Sequence, residues 1–471
     1  MKRIQTGLIS LLLIAGQVCA QSTLHEKIQT AFNLLQADSQ CRYGTVTLTV
    51  LDAKTGEQIF AANSDVGLQP GSTMKTVTTI TAFNVLGKDF QYQTQYGYTG
   101  TITNGTLNGD IIIKGSGDPT LGSWRWETTK QIHVLYQMVT AMQRAGIKNI
   151  NGRIIGDDSA FGSQTIPDRW IWQDLGTYYG AGITALCWGE NQFDLVLKTG
   201  RVNTPISIAG TIPAMPYLTF KSELINGTAG TGDNAYPFLP IGNSNLMYVR
   251  GTFAVDENKK TVSAALPDPA YDLAYRLTDT LKRIGIATSG QPESTTTLTI
   301  KGQQAMPITT SLGAITSPEL SKIVYWTNRK SINLYAEELL KAIALKSGLT
   351  ASTAEGVKVL HNFWKARGID TNAMDVDDGC GLSPSDRITS RTIATVLQSA
   401  KSAAWFPDFY ESLPVYNDMH MKSGSIHNVQ AYAGYQTHQG RDLCFSIIVN
   451  NYNGSTKGIK DKMFKVLDEL K

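Results

Sequence analysis

Apolar positions recur along this chain in two rhythms. Leu24, Ile28, Ala31, Phe32 and Leu35 return at three- and four-residue steps, which predicts a helix, whereas Val46, Leu48 and Val50 alternate with other residues, which predicts a strand over 43–51. A turn over 52–57 and a return strand over 58–61 complete a hairpin. Behind Gly71-Ser72, the apolar positions Val77, Ile80, Ala82, Phe83, Val85 and Leu86 mark a helix that stops at Gly87. From Phe90 the pattern shortens. Residues 92–107 and 111–113 read as strands, 128–145 as a helix, 150–155 as one strand and 161–191 as an aromatic loop. Strand-like pieces at 193–197, 206–208, 218–220, 247–253 and 261–265 alternate with Gly and Pro turns, ahead of a helix over 273–284 and a Ser/Thr run over 294–300. The helical rhythm resumes over 317–345 with a break at Ser331–Asn333, so two helices meeting at a joint are predicted. Helices over 354–366 and 389–399, strands over 419–425, 430–437 and 443–449, and a last helix over 460–470 follow. The simplest account is an α+β domain built from both ends of the chain, with two β-rich modules inserted after the helix that follows Ser72.

The chain has 471 residues, too many for one core. Its N-terminus reads as an export signal over 1–20: Lys2 and Arg3, an apolar run from Leu8 to Gly16, and Val18-Cys19-Ala20 before Gln21. That run is shorter than the roughly 20 residues a spanning helix needs. We therefore expect a periplasmic or otherwise extracytoplasmic protein, which leaves peripheral membrane association open. Without Lys2 and Arg3, 40 basic residues face 39 acidic ones, a balance that argues against a nucleic-acid partner. Cys41, Cys187, Cys380 and Cys444 are widely spaced, so neither a zinc ribbon nor a disulfide pairing can be read from them. The six histidines form no HExxH pattern.

Chemistry concentrates in three short elements. Ser72-Thr-Met-Lys75 is the single Ser-x-x-Lys of the chain, and one helical turn sets its hydroxyl beside its amine. A lysine becomes a usable base when burial or a nearby cation lowers its pKa, and the apolar run behind Ser72 supplies burial. Ser331-Ile-Asn333 is likewise single. Lys followed by Ser or Thr and then Gly occurs four times, at Lys54, Lys198, Lys346 and Lys422. Only Lys422-Ser423-Gly424 both follows Ser331 and opens a strand pair. Alone, a Ser at a helix start is ordinarily a cap and a lone Ser-x-Asn a turn. It is their order and local context that point to a nucleophile with its partners.

In combination these elements resemble the penicillin-recognising acyl-serine transferases. The long insertion, the stretch Lys114–Leu121, Asp378–Ser383 and Lys422–Tyr435 narrow the resemblance to the class C low-molecular-mass penicillin-binding proteins, the D-alanyl-D-alanine carboxypeptidase/endopeptidase family. The resemblance implies a transpeptidase/β-lactamase-like domain, an antiparallel sheet flanked by helices, over 21–90 and 313–471. It implies one inserted domain over 91–162 and 266–312 and a second over 163–265. It also implies peptidoglycan stem peptides as substrates, β-lactam antibiotics as covalent inhibitors, and no metal or organic cofactor. Ser423 stands where Thr is common, Cys380 where Ser is usual, and Pro384 where some relatives carry Arg.

On this reading Ser72 is the nucleophile and Lys75 its base. Ser331 relays the proton, Asn333 orients the substrate amide, and Lys422 with Ser423 holds the terminal carboxylate. Gly424 belongs to the same substrate-binding strand, and the backbone N–H groups of Ser72 and Ser425 receive the oxyanion, the latter implied by the family pattern. Asp157, at a strand end in the insertion, is implied as a substrate contact, with Asp158 as its rival. Two other readings share parts of this pattern. A serine β-lactamase would need a deacylating Glu in an Ω-loop, which cannot be located, and a non-catalytic cell-wall-binding protein would be expected to lose one of the three elements. The oligomeric state, the stem-peptide chemistry and the balance of carboxypeptidase against endopeptidase activity are not written in the sequence.

Overall fold

The computed structural model describes residues 23–239 and 245–471, so the expected export signal lies outside the described residues. Its centre is a six-stranded antiparallel sheet in the order Gln58–Ala62, Thr45–Asp52, Arg441–Asn450, Val429–His438, Met419–Ile426, Val415–Tyr416. The first and last parts of the chain meet here, because Thr45–Asp52 pairs along its whole length with Arg441–Asn450. Strand alternation sorts the apolar side chains between two faces. Val46, Leu48, Val50, Phe445, Ile447 and Val449 pack with Ile28, Phe32, Ile459 and Met463 from the helices Leu24–Gln36 and Thr456–Asp468. On the other face, Ala431, Ala433, Cys444 and Ile448 join a larger core with Val77, Ile80, Leu339, Ile343, Ile393 and Leu397.

Those last residues come from three helices, Met74–Leu86, Asn333–Lys346 and Ser390–Ala400. The first is covered on every side, with all ten residues from Met74 to Phe83 buried. A helix buried all round is a core helix, and Lys75 in its first turn is buried with it. A short 3-10 turn, Gly71–Thr73, precedes it, and Gly87 ends it at φ 84°.

Between residues 93 and 316 the chain builds two further apolar cores. One lies between a five-stranded sheet (Glu293–Ser294, Ile154–Asp157, Ile111–Lys114, Gln93–Tyr98, Thr310–Thr316) and the helices Gln131–Arg144 and Pro269–Arg283. The other gathers Phe193, Leu195, Met247, Val249, Phe253 and Val262 from two three-stranded sheets. The aromatic segment 161–191 forms only short 3-10 turns, and Trp170, Ile183 and Cys187 within it pack into the core of the main sheet.

Several expectations shift. The single strand expected over 150–155 is two strands in two sheets, Asn149–Asn151 and Ile154–Asp157. They part at Gly152, where a side chain would lie 2.0 Å from the Gly109 carbonyl oxygen, and at Arg153, whose guanidinium is held by Asp110. The strands Asp233–Phe238 and Thr310–Thr316 and the helix Phe406–Ser412 were not anticipated, and the Ser/Thr run forms a helix over Thr295–Ile300. All four described cysteines are buried free thiols. Among the described residues no helix is long and apolar enough to cross a membrane.

Candidate active site

Three elements converge on Ser72. Gly71, at φ 49°, turns the chain so tightly against the strand Met419–Ile426 that a side chain there would lie 2.8 Å from the Ser425 backbone nitrogen. From the strand side, a side chain on Gly424 would lie 2.2 Å from the Pro70 carbonyl oxygen and 2.9 Å from the Ser72 backbone nitrogen. Glycine at both positions lets the backbone amides of residues 72 and 425 approach one another, the pairing an oxyanion requires.

Lys75 is fully buried, and its Nζ lies 2.9 Å from Ser72 Oγ, 2.6 Å from Asn333 Oδ1 and 2.9 Å from the Cys380 carbonyl oxygen. Burial holds its pKa below the usual lysine value, while Cys380, Asp378 and Glu337 pull it back up. Asn333 opens the helix Asn333–Lys346 and also donates from Nδ2 to the Tyr179 carbonyl oxygen at 2.8 Å. Its amide therefore fixes Lys75 as well as facing the cavity. Ser331 sits in the joint after the helix Leu320–Arg329 at φ 56°, a left-handed conformation that is strained for a serine. Its Oγ accepts from Lys422 Nζ at 2.9 Å, and Lys422 also donates to the Ser423 carbonyl oxygen at 2.7 Å. Lys422 is buried as well, and burial, then the charge of Lys75, depress its pKa well below normal. Lys75 has acids nearby, whereas no acid acts on the Lys422 ammonium among the described residues.

The loop at 378–383 is wound around one carboxylate. Asp378 Oδ1 accepts from the backbone N–H groups of Cys380 and Gly381, and Oδ2 from those of Leu382 and Ser383 and from the Trp170 indole at 2.8 Å. Gly381, at φ 80°, brings this loop against the turn Gly71–Thr73, where a side chain would lie 2.0 Å from the Gly71 carbonyl oxygen. The result is a Cys380 carbonyl directed at Lys75. Glu337, one turn along from Asn333, accepts from Gly379 N–H at 2.8 Å, and burial pushes its pKa up to about 8. Glu337, Asp378 and Cys380 place ligand-type atoms within 4.8 Å of one another. Asp378 is already occupied by five N–H donors and burial keeps the Cys380 thiol protonated, so this group is an anchor for the loop rather than a metal cage.

A cavity of about 810 Å³ opens onto Ser72, Ser331, Asn333 and Ser425. Ser423 and Asp157 are not among its lining residues. Ser423 is half-buried beside Lys422, and Asp157 ends its strand with Oδ1 accepting from Ser159 N–H at 3.0 Å. The segment between residues 93 and 316 supplies part of the wall, through Arg125, Asp174, Tyr179 and Glu190. Of the supporting groups, the Asp378 nest had a legible signal, an aspartate followed by alternating glycines. Glu337, Arg125 and Glu190 had none, because their partners lie tens to hundreds of residues away.

The sequence matches the model of the D-Ala-D-Ala carboxypeptidase 3 (S13) family over residues 30–418. It is 25% identical over 443 residues to a D-alanyl-D-alanine carboxypeptidase of Actinomadura sp. (strain R39), covering 86% of this chain and 78% of the relative. It is 24% identical over 415 residues to D-alanyl-D-alanine carboxypeptidase DacB of Haemophilus influenzae, covering 83% and 82%. The crystal structure of penicillin binding protein 4 from H. influenzae superposes with a TM-score of 0.77 at 20% identity, over 94% of this chain and 98% of that one. A second structure of that protein, complexed with a β-lactam, gives 0.70 at 19%, again over 94% and 98%. At such identities the superposition shows a common fold, which agrees with the α+β, β-lactamase-like architecture expected from the sequence. With five-sixths of its length matched by one family model, the chain belongs to the D-Ala-D-Ala carboxypeptidase 3 (S13) family and is a serine-type DD-carboxypeptidase.

Proposed function

We propose that this protein hydrolyses the D-alanyl-D-alanine end of peptidoglycan stem peptides through an acyl-enzyme on Ser72, and that it opens D-alanyl cross-links by the same chemistry. The observation that carries this reading is the Lys75 amine, buried and 2.9 Å from Ser72 Oγ. A neutral amine has two N–H bonds and one lone pair. The carbonyl oxygens of Asn333 and Cys380 take the two N–H bonds, which leaves the lone pair for the Ser72 proton.

Ser72 Oγ then attacks the carbonyl of the penultimate D-alanine, and its proton passes to Lys75. The oxyanion is received by the N–H groups of residues 72 and 425. The C–N bond breaks as the proton taken up by Lys75 reaches the leaving amine through Ser331, whose hydroxyl is held by Lys422 Nζ; Lys75 is thereby neutral again. Water attacks the ester, returns the proton to Ser72 and frees the shortened peptide. The substrate carboxylate supplies the counter-charge that Lys422 lacks. Once charged, Lys422 in turn favours the neutral form of Lys75. The parts of Ser423 in holding that carboxylate and of Asp157 in contacting the peptide rest on the resemblance.

The same reading includes export by residues 1–20 to an extracytoplasmic site, covalent inhibition by β-lactams, and the division of the chain into a main domain with two inserted ones. The β-lactam held by the Haemophilus protein supports the second of these. The test is D-alanine release from a peptide ending in D-Ala-D-Ala, and cleavage of cross-linked muropeptides, with products read by mass. Ser72→Ala abolishes both on this reading; wild-type release by that variant would refute it.

A further inference from the structure

Arg125 lines the same cavity as Ser72, on the wall supplied by the insertion. Its guanidinium lies over two indoles, Trp124 and Trp326, 5.2 Å from each ring centroid, and its side chain is 19% exposed. Nε donates to Glu190 Oε1 at 2.8 Å. That carboxylate is itself buried and built in: Oε1 also accepts from Ser123 Oγ at 2.7 Å and the Tyr335 hydroxyl at 2.9 Å, and Oε2 from Gln192 Nε2 at 3.4 Å. The Trp126 indole N–H donates to the Tyr335 hydroxyl at 3.0 Å and completes the support. The terminal nitrogens of Arg125 make no hydrogen bond among the described residues.

An arginine present only to neutralise Glu190 would offer it two N–H groups in the parallel fork that carboxylates accept. This one uses a single N–H on its inner edge. Two indoles within cation–π range and a side chain only 19% exposed place the guanidinium in a partly dehydrated setting, which strengthens any charge-assisted bond made at the tip. The planar two-oxygen group that fits such a tip is a second carboxylate. Lys422, on the strand Met419–Ile426, is proposed above to serve the terminal carboxylate, so Arg125 is free for another.

We propose that the terminal nitrogens of Arg125 bind a free carboxylate carried by the acyl-side part of the stem peptide, and so select substrates in which that group is not amidated. The proposal rests on the peptidase reading above. Its test uses two peptides ending in D-Ala-D-Ala, alike except that an acyl-side residue bears a carboxylate in one and a carboxamide in the other. The wild-type chain is expected to favour the carboxylate peptide by about ten- to hundredfold in kcat/KM. Arg125→Gln brings that ratio close to one. Acylation of the variant by benzylpenicillin reports whether its Ser72 site is intact; where it is not, the wild-type ratio alone decides. A wild-type ratio near one overturns the subsite, as does a ratio that survives in an intact Arg125→Gln protein. In both cases the peptidase reading stands. A wild-type protein that hydrolyses neither peptide overturns the peptidase reading, and the subsite falls with it.

Discussion

At the scale of single residues, burial sets protonation. Lys75 is held below its usual pKa by loss of water and partly restored by nearby acids. Acylation therefore rises with pH as the amine loses its proton, with a midpoint below 10.5, in a stopped-flow pH profile with a reporter β-lactam. Lys75→Met keeps the volume and removes the base, and is expected to slow acylation by about 10²- to 10⁴-fold. Glu337 shows the opposite sign. Its folded pKa near 8, against 4.5 for a free glutamate, means the native protein keeps a proton that the unfolded chain releases. Its contribution to stability is complete below pH 4.5 and is lost as pH rises to about 8, at up to about 1.4 kcal/mol per pH unit. Glu337→Gln removes this dependence, so melting temperatures compared at pH 5 and pH 8 will show the variant gaining on wild type at the higher pH.

At the scale of elements, the site is a close contact between a turn, a strand and a loop. Gly424→Ala puts a methyl group against backbone at 2.2 Å, which only movement of the strand or the turn relieves. We expect it to lose about 1–3 kcal/mol of stability. We also expect acylation at least tenfold slower as the two oxyanion donors separate, read by thermal melts and acylation kinetics. Much of this level was legible. The joint at Ser331–Asn333 could be read because the apolar rhythm stops and restarts there, and the three motif elements because each is local in sequence. The break at Gly152–Arg153 was not, since it answers to a carbonyl of Gly109 and a carboxylate of Asp110 in a neighbouring strand. The strand Asp233–Phe238 was hidden by its Asp, Asn and Pro, residues that signal turns until a neighbouring strand supplies partners. The Arg125–Glu190–Tyr335 chain joins residues 65 and 145 positions apart and leaves no periodicity at all.

At the scale of the whole molecule, the segment from residue 93 to 316 forms part of the wall of the cavity that opens onto Ser72. Trp170 reaches Asp378 in the 378–383 loop, and the Tyr179 carbonyl holds Asn333, so the long excursion from residue 93 to 316 returns to position groups it is far from in sequence. None of this depends on covalent cross-links. Alkylation of the unfolded chain without reductant is expected to modify Cys41, Cys187, Cys380 and Cys444 alike, and reductant to leave the melting temperature unchanged. Protection of any pair would contradict the free thiols of this structure.

The most direct test of an acyl-serine peptidase at Ser72 is the intact mass of the purified protein after exposure to benzylpenicillin, followed by peptide mapping. One persistent adduct of the antibiotic's full mass is expected, located on Ser72 and missing from Ser72→Ala. No adduct, an adduct on another residue, or one that turns over within seconds with hydrolysed penicillin accumulating would contradict it.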